Sequence, residues 1–110
     1  MLIYKIFRNA EFLDFTQRGR SAGAPVDLAD GYIHLSTGAQ VPETLGKHFA
    51  GESVLHLLAL ESDGLTGLQW EPSRGGQLFP HLYRDLHTTD ILWSRPLPLG
   101  PDGHITGDLA

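Results

Sequence analysis

Three short segments hold the side chains whose types and spacing could do chemistry. The first is Asp30-Gly31-Tyr32-Ile33-His34-Leu35-Ser36-Thr37. A strand here sends alternate side chains to opposite faces, so Ile33 and Leu35 enter a core while Tyr32, His34 and Ser36 share the other side. Three polar groups on one face are costly to bury unpaired, at about 1–3 kcal/mol each, so that face must meet water, a ligand or dedicated partners. The second is Trp70-Glu71-Pro72-Ser73-Arg74-Gly75-Gly76. Its paired glycines permit positive φ, and with Arg74 they could form a concavity for an anion such as phosphate. Glu71 is the best-placed carboxylate for acid–base work or for holding a sugar hydroxyl. The third is Leu78-Phe79-Pro80-His81-Leu82-Tyr83, where alternation puts Phe79, His81 and Tyr83 on one face, suited to stacking on a planar ring. Each segment also has a plainer reading: a solvated strand face, an ordinary turn closed by Glu71 and Arg74, and a core with one hydrogen-bonded histidine.

Other familiar chemistries lack their signatures. His48, His56, His87 and His104 have no metal-ligand spacing, so no metal is expected. The Gly-x-x-x-x-Gly-Lys phosphate loop and Gly-x-Gly-x-x-Gly are both absent. With no cysteine, thiolate catalysis, disulfides and cysteine-ligated metals drop out.

The elements that must position these segments follow from periodicity. Residues 2–7 read as a strand, and Asn9 as the N-cap of a helix over about 10–18 that buries Phe12, Leu13 and Phe15. Gly19, Gly23 and Pro25 mark a loop, and 31–36 a second strand. A helix over about 40–50 puts Val41, Leu45 and Phe49 on one face. Thr37 and Gln40 fit a capping box, Pro42 suits the first turn, and Gly51 ends the helix. Residues 53–60 form the most apolar run and read as a central strand, a turn follows at Asp63-Gly64, and strands are expected near 66–71, 78–83 and 90–96. From Pro96 onward three prolines and few anchors predict an edge piece and then a mobile tail over 98–110. Strands outnumber helices and the gaps are short, which favours antiparallel neighbours. The expectation is a single α+β domain over 1–97, a curved or split, mainly antiparallel sheet with two helices.

A chain of 110 residues is enough for one core and too short for two domains. The formal charge of −5 and scattered arginines and lysines argue against nucleic acid as the main partner. No apolar run approaches the ~20 residues that span a bilayer, and the opening residues carry no secretory pattern. A cytoplasmic protein with no membrane role is the expectation; nothing identifies a protein partner.

The three segments together, with the opening Ile-Tyr-Lys-Ile and Lys-His-Phe-Ala-Gly at 47–51, resemble the bacterial domain-of-unknown-function 952 family over nearly the whole chain to about residue 97. That family has no established activity. The resemblance implies the fold of the ADP-ribosyltransferases, a split antiparallel sheet that clamps NAD as substrate. It also implies a ribose-holding role for His34 in His34-Leu35-Ser36, and for Tyr83 or Phe79 a place against the nicotinamide. Such enzymes place a glutamate near the end of a late strand. Glu71 is the last glutamate in the chain but precedes a proline–glycine loop, so the correspondence is partial. The expected site is then catalytic Glu71 and His34, with Tyr32, Ser36, Arg74, Gly75, His81 and Tyr83 binding a nucleotide or phosphorylated metabolite. The ligand is NAD for ADP-ribosyl transfer, or a small nucleotide held by a non-catalytic module.

Overall fold

A computed structural model describes residues 1–109, apart from the side chain of Arg74. Its centre is strand β5 (Leu55–Glu61), which pairs antiparallel along its full length with β1 (Leu2–Arg8). Strand β9 (Ile91–Leu97) flanks β5 on its other side. The short strand β4 (Ser36–Thr37) adds to β1 and completes the order β4-β1-β5-β9. A second antiparallel sheet, β3 (Ile33–His34), β7 (Leu78–Leu82) and β6 (Leu68–Pro72), has the order β3-β7-β6. Two-stranded ladders join β2 (Arg20–Ser21) to β8 (Leu86–His87) and β10 (Leu99–Gly100) to β11 (Gly103–His104).

Both faces of the four-stranded sheet are covered, which is why Leu55–Leu60 is apolar almost throughout rather than alternating. On one face Ile3, Phe7, Leu58 and Leu60 pack with Ile33 and Leu82 of the second sheet, with Leu35 between β3 and β4, and with Phe15 of helix α1 (Asn9–Arg18). On the other, Tyr4, Ile6, Leu55, Leu57 and Ala59 meet Val41 and Leu45 of helix α3 (Val41–His48). The capping pair expected ahead of α3 is reciprocal: the Thr37 amide donates to Gln40 Oε1 at 3.0 Å and the Gln40 amide to Thr37 Oγ1 at 3.3 Å. Pro42 falls in the first turn, where its missing N–H costs nothing. At the other end of the chain His104 Nε2 lies 2.6 Å from the carbonyl of Glu52, and Leu109 packs on the Tyr4–Leu45 cluster.

Four expectations are corrected. Among the described residues there are three α-helices, not two: residues read as loop include α2 (Pro25–Asp30), with Pro25 at its first position and Gly31 ending it at φ 85°. Asn9 is the first residue of α1 rather than its cap. The Arg8 amide is satisfied by Glu11 at 2.8 Å, and the Asn9 side chain accepts from His56 at 3.1 Å. Leu13 faces outward at 49 % exposure, leaving Phe15 in the core with Phe12 packed half-buried against it. The strand expected over 31–36 is two strands in different sheets. Its chain crosses at Leu35, whose amide bonds the Pro80 carbonyl at 3.0 Å.

Candidate functional site

That crossing creates the site. Strand β4, which arrives from β3 of the second sheet, covers β1 only at Ile3 and Tyr4. Lys5 to Arg8 keep their partner on the β5 side alone. A cavity of about 520 Å³ opens beside this uncovered edge, bounded by β1, α2, the 34–36 crossing, α3 and β7. Neighbours on a strand point to opposite faces, yet Tyr4, Lys5 and Ile6 all line it, as do His34, Leu35 and Ser36. Strand edges therefore bound it, as well as side chains. Its volume is in the range of small-molecule sites, roughly 300–1,000 Å³.

The interior carboxylate Asp27 organises one wall. Its side chain is fully buried and accepts from Lys5 Nζ at 2.7 Å, from the Ala24 amide at 2.7 Å and from the His34 amide at 2.9 Å. A fourth contact, at 2.6 Å, holds His34 Nδ1. Burial alone would raise the Asp27 pKa; the bonds from His34 and the charge and bond of Lys5 outweigh it and hold the carboxyl at about 2. Lys5 also donates to the His34 carbonyl at 3.1 Å, so β1, α2 and β3 meet at this one carboxylate. The other ring nitrogen of His34, Nε2, lies 2.9 Å from Asp30 Oδ2.

His81 forms the facing dyad. It is directly opposite His34 in the β3–β7 pairing, with ring centroids 5.5 Å apart. His81 is buried, and its Nδ1 sits 2.8 Å from Glu71 Oε1, the same oxygen that accepts the Tyr83 hydroxyl at 2.5 Å. The Tyr83 and His81 bonds lower the Glu71 pKa, while the Glu71 carboxylate pushes the Tyr83 phenol up to about 12. Tyr32 stacks on His81 at 4.2 Å and tilts against His34 at 4.6 Å and Tyr83 at 5.2 Å.

The structure brings six of the eight expected residues together. His34, Ser36 and His81 line the cavity, with Ser36 Oγ 3.0 Å from Thr44 Oγ1. Tyr32, Glu71 and Tyr83 cluster behind His81 and reach the cavity through it. Gly75 lies in an exposed turn, Arg74–Gly76, that needs its φ of 65°; an added Cβ there would meet nothing within 4 Å, so the glycine serves the turn rather than a close approach. The role expected of Arg74 concerns a side chain outside the described residues. Sequence reasoning missed Asp27, Lys5, Asp30 and Tyr4. A lysine inside an apolar strand was the available signal for Lys5 and a buried counter-ion. Tyr4 lines the cavity as well, and its interior hydroxyl has no hydrogen-bond partner among the described residues.

Fold and site thus define a small α+β protein with a ligand-sized cavity at the join of two antiparallel sheets. The chain belongs to the family described as protein of unknown function (DUF952), whose family model matches residues 6–94. It is similar to protein CC0527 from Caulobacter crescentus, whose X-ray structure is 48 % identical with a TM-score of 0.90, covering 94 % of this chain and 92 % of that one. The solution NMR structure of CC0527 is 49 % identical with a TM-score of 0.84, covering 94 % of this chain and 90 % of that one. No curated protein matches the chain.

Proposed function

We propose that the cavity binds a small nucleotide-like ligand and that the chain performs NAD-dependent ADP-ribosyl transfer there. One observation carries the reading: two histidines, each with Nδ1 fixed by a carboxylate, are cross-strand partners on the wall of one cavity. Fixing Nδ1 makes Nε2 the working nitrogen, at His34 once its 2.9 Å contact with Asp30 is given up, the arrangement that acid–base and hydroxyl-orienting histidines share. His34 and Ser36 then hold ribose hydroxyls, and Tyr32 and Tyr83 border the planar base. The bond from C1′ to the nicotinamide nitrogen breaks and its electron pair leaves with nicotinamide. An acceptor atom bonds C1′ and gives up its proton to the protein or water. Glu71 steadies the ribose hydroxyl and the positive charge that develops at C1′.

The ADP-ribosyltransferase fold that membership of this family implies supports this reading, as do the split between the two sheets and the cavity volume. One feature favours a second reading, a non-catalytic module for a small nucleotide or phosphorylated metabolite. Glu71 does not line the cavity, and its Oε1 is already shared by His81 and Tyr83. Calorimetry with NAD, chromatography for released nicotinamide and the Glu71→Gln variant decide between them. A transferase binds NAD and releases nicotinamide, and E71Q keeps binding while losing release. A binding module shows affinity without release in either protein. Absence of NAD binding refutes the transferase reading.

A further inference from the structure

His34 is held at both ring nitrogens by carboxylates from one helix face, and the two carboxylates differ. Asp27, on Nδ1, is fully buried and has three further donors, so it cannot leave without stranding Lys5. Asp30, on Nε2, has a 45 % exposed side chain, ends α2 next to Gly31, and itself lines the cavity. Only one of these contacts is anchored. The other places an anionic oxygen 2.9 Å from the nitrogen that faces the site, at the end of a side chain free to swing into solvent.

We propose that Asp30 is an internal stand-in for the ligand: its carboxylate holds the position at His34 Nε2 that a ligand oxyanion takes, and ligand binding displaces it. The inference rests on the cavity being the binding site, as proposed above, and adds the chemistry of one subsite and the residue that competes for it. The ligand group is an anionic oxygen with carboxylate-like acceptor geometry, such as a phosphate oxygen. The competitor is weak, because a contact between two partly exposed side chains competes with water and is screened by salt. It still lowers affinity twice, by occupying Nε2 and by leaving a negative charge beside the incoming oxyanion. Lys5 and Asp27 compensate each other and stay in place throughout. Arg8, the other charged residue on this wall, is held by both oxygens of Glu52 at 2.8 and 3.0 Å. Of Lys5, Arg8 and Asp30, the described Lys, Arg, Asp and Glu residues that line the cavity, Asp30 is therefore the one least tied down.

The test follows the His34 imidazole nitrogens by long-range ¹H–¹⁵N NMR while inorganic phosphate is added to wild type, Asp30→Ala and Asp30→Asn. The asparagine variant keeps the side-chain volume and guards against a helix defect in the alanine variant. In both variants the His34 Nε2 response should saturate at up to about fivefold lower phosphate than in wild type. Equal midpoints in all three proteins, or no Nε2 response in either variant, overturn the proposal. A parallel NAD titration keeps the two claims apart. If phosphate behaves as stated and NAD does not bind, the transferase reading falls and the Asp30 inference stands. If NAD binds equally well to wild type and both variants, with equal phosphate midpoints, the inference falls and the transferase reading stands.

Discussion

Replacing Asp27 by asparagine changes one oxygen to nitrogen and should be among the most damaging substitutions in the chain. The side chain is fully buried against Lys5, whose own side chain is 6 % exposed. An amide at this position could still accept from backbone N–H groups, but Lys5 would be left as a buried cation without a counter-ion. Breaking a buried pair in this way costs about 3–5 kcal/mol, a large share of the roughly 5–15 kcal/mol that holds a domain of this size. The pH dependence gives a second estimate. A carboxyl held at about 2 in the folded chain, against an ordinary 3.8, contributes roughly 2 kcal/mol. Because the folded value is the depressed one, this stability is fully present above pH 3.8 and is lost as the pH falls toward 2. Urea unfolding of wild type, D27N and the D27N/K5M double variant at about pH 7 and about pH 3 reads both effects. D27N should lose about 3–5 kcal/mol near neutral pH, with a smaller deficit in acid, and removing Lys5 as well should restore much of the loss. If D27N unfolds within about 1 kcal/mol of wild type, or K5M restores nothing, the buried-pair argument is wrong.

Three further outcomes follow from the same geometry. An absorbance titration should find one tyrosine that ionises only near pH 12, and Glu71→Gln should bring it back toward the ordinary range by removing the carboxylate that Tyr83 bonds. Leu58→Ala empties a fully buried position at the centre of the sheet and should cost about 2–5 kcal/mol by denaturant unfolding. Gly31→Ala meets no atom within 4 Å but must adopt φ 85°, so calorimetric melting should show a cost of about 1–2 kcal/mol from the backbone alone.

How much of this was legible in the sequence depends on the range of the forces involved. Helices α1 and α3 and strands β1, β5, β6, β7 and β9 follow from local apolar patterns and lie within a few residues of where those patterns put them. Helix α2 does not, because six residues with two aspartates offer little periodicity, and only Pro25 and Gly31 mark its ends. The 31–36 segment has the alternation of one strand, and its side chains do divide as alternation requires. That it serves two sheets depends on Pro80, far along the chain. The site was legible where one strand carries several polar groups, as with Tyr32, His34 and Ser36. It was not where a pair spans the fold: Lys5 and Asp27 are 22 residues apart, and neither alone announces the other.

The central claim is that one ligand-binding cavity lies between the two sheets, walled by His34 and His81. An amide chemical-shift map of the ¹⁵N-labelled chain at saturating NAD tests it most directly. The largest shifts should fall on His34, Ser36, Thr44, Ser73 and His81, which come from separate elements and all line that cavity. Shifts that leave these amides unmoved and gather instead around Gly46, Asp102 and His104, at the smaller cavity of about 300 Å³ beside α3, would contradict it.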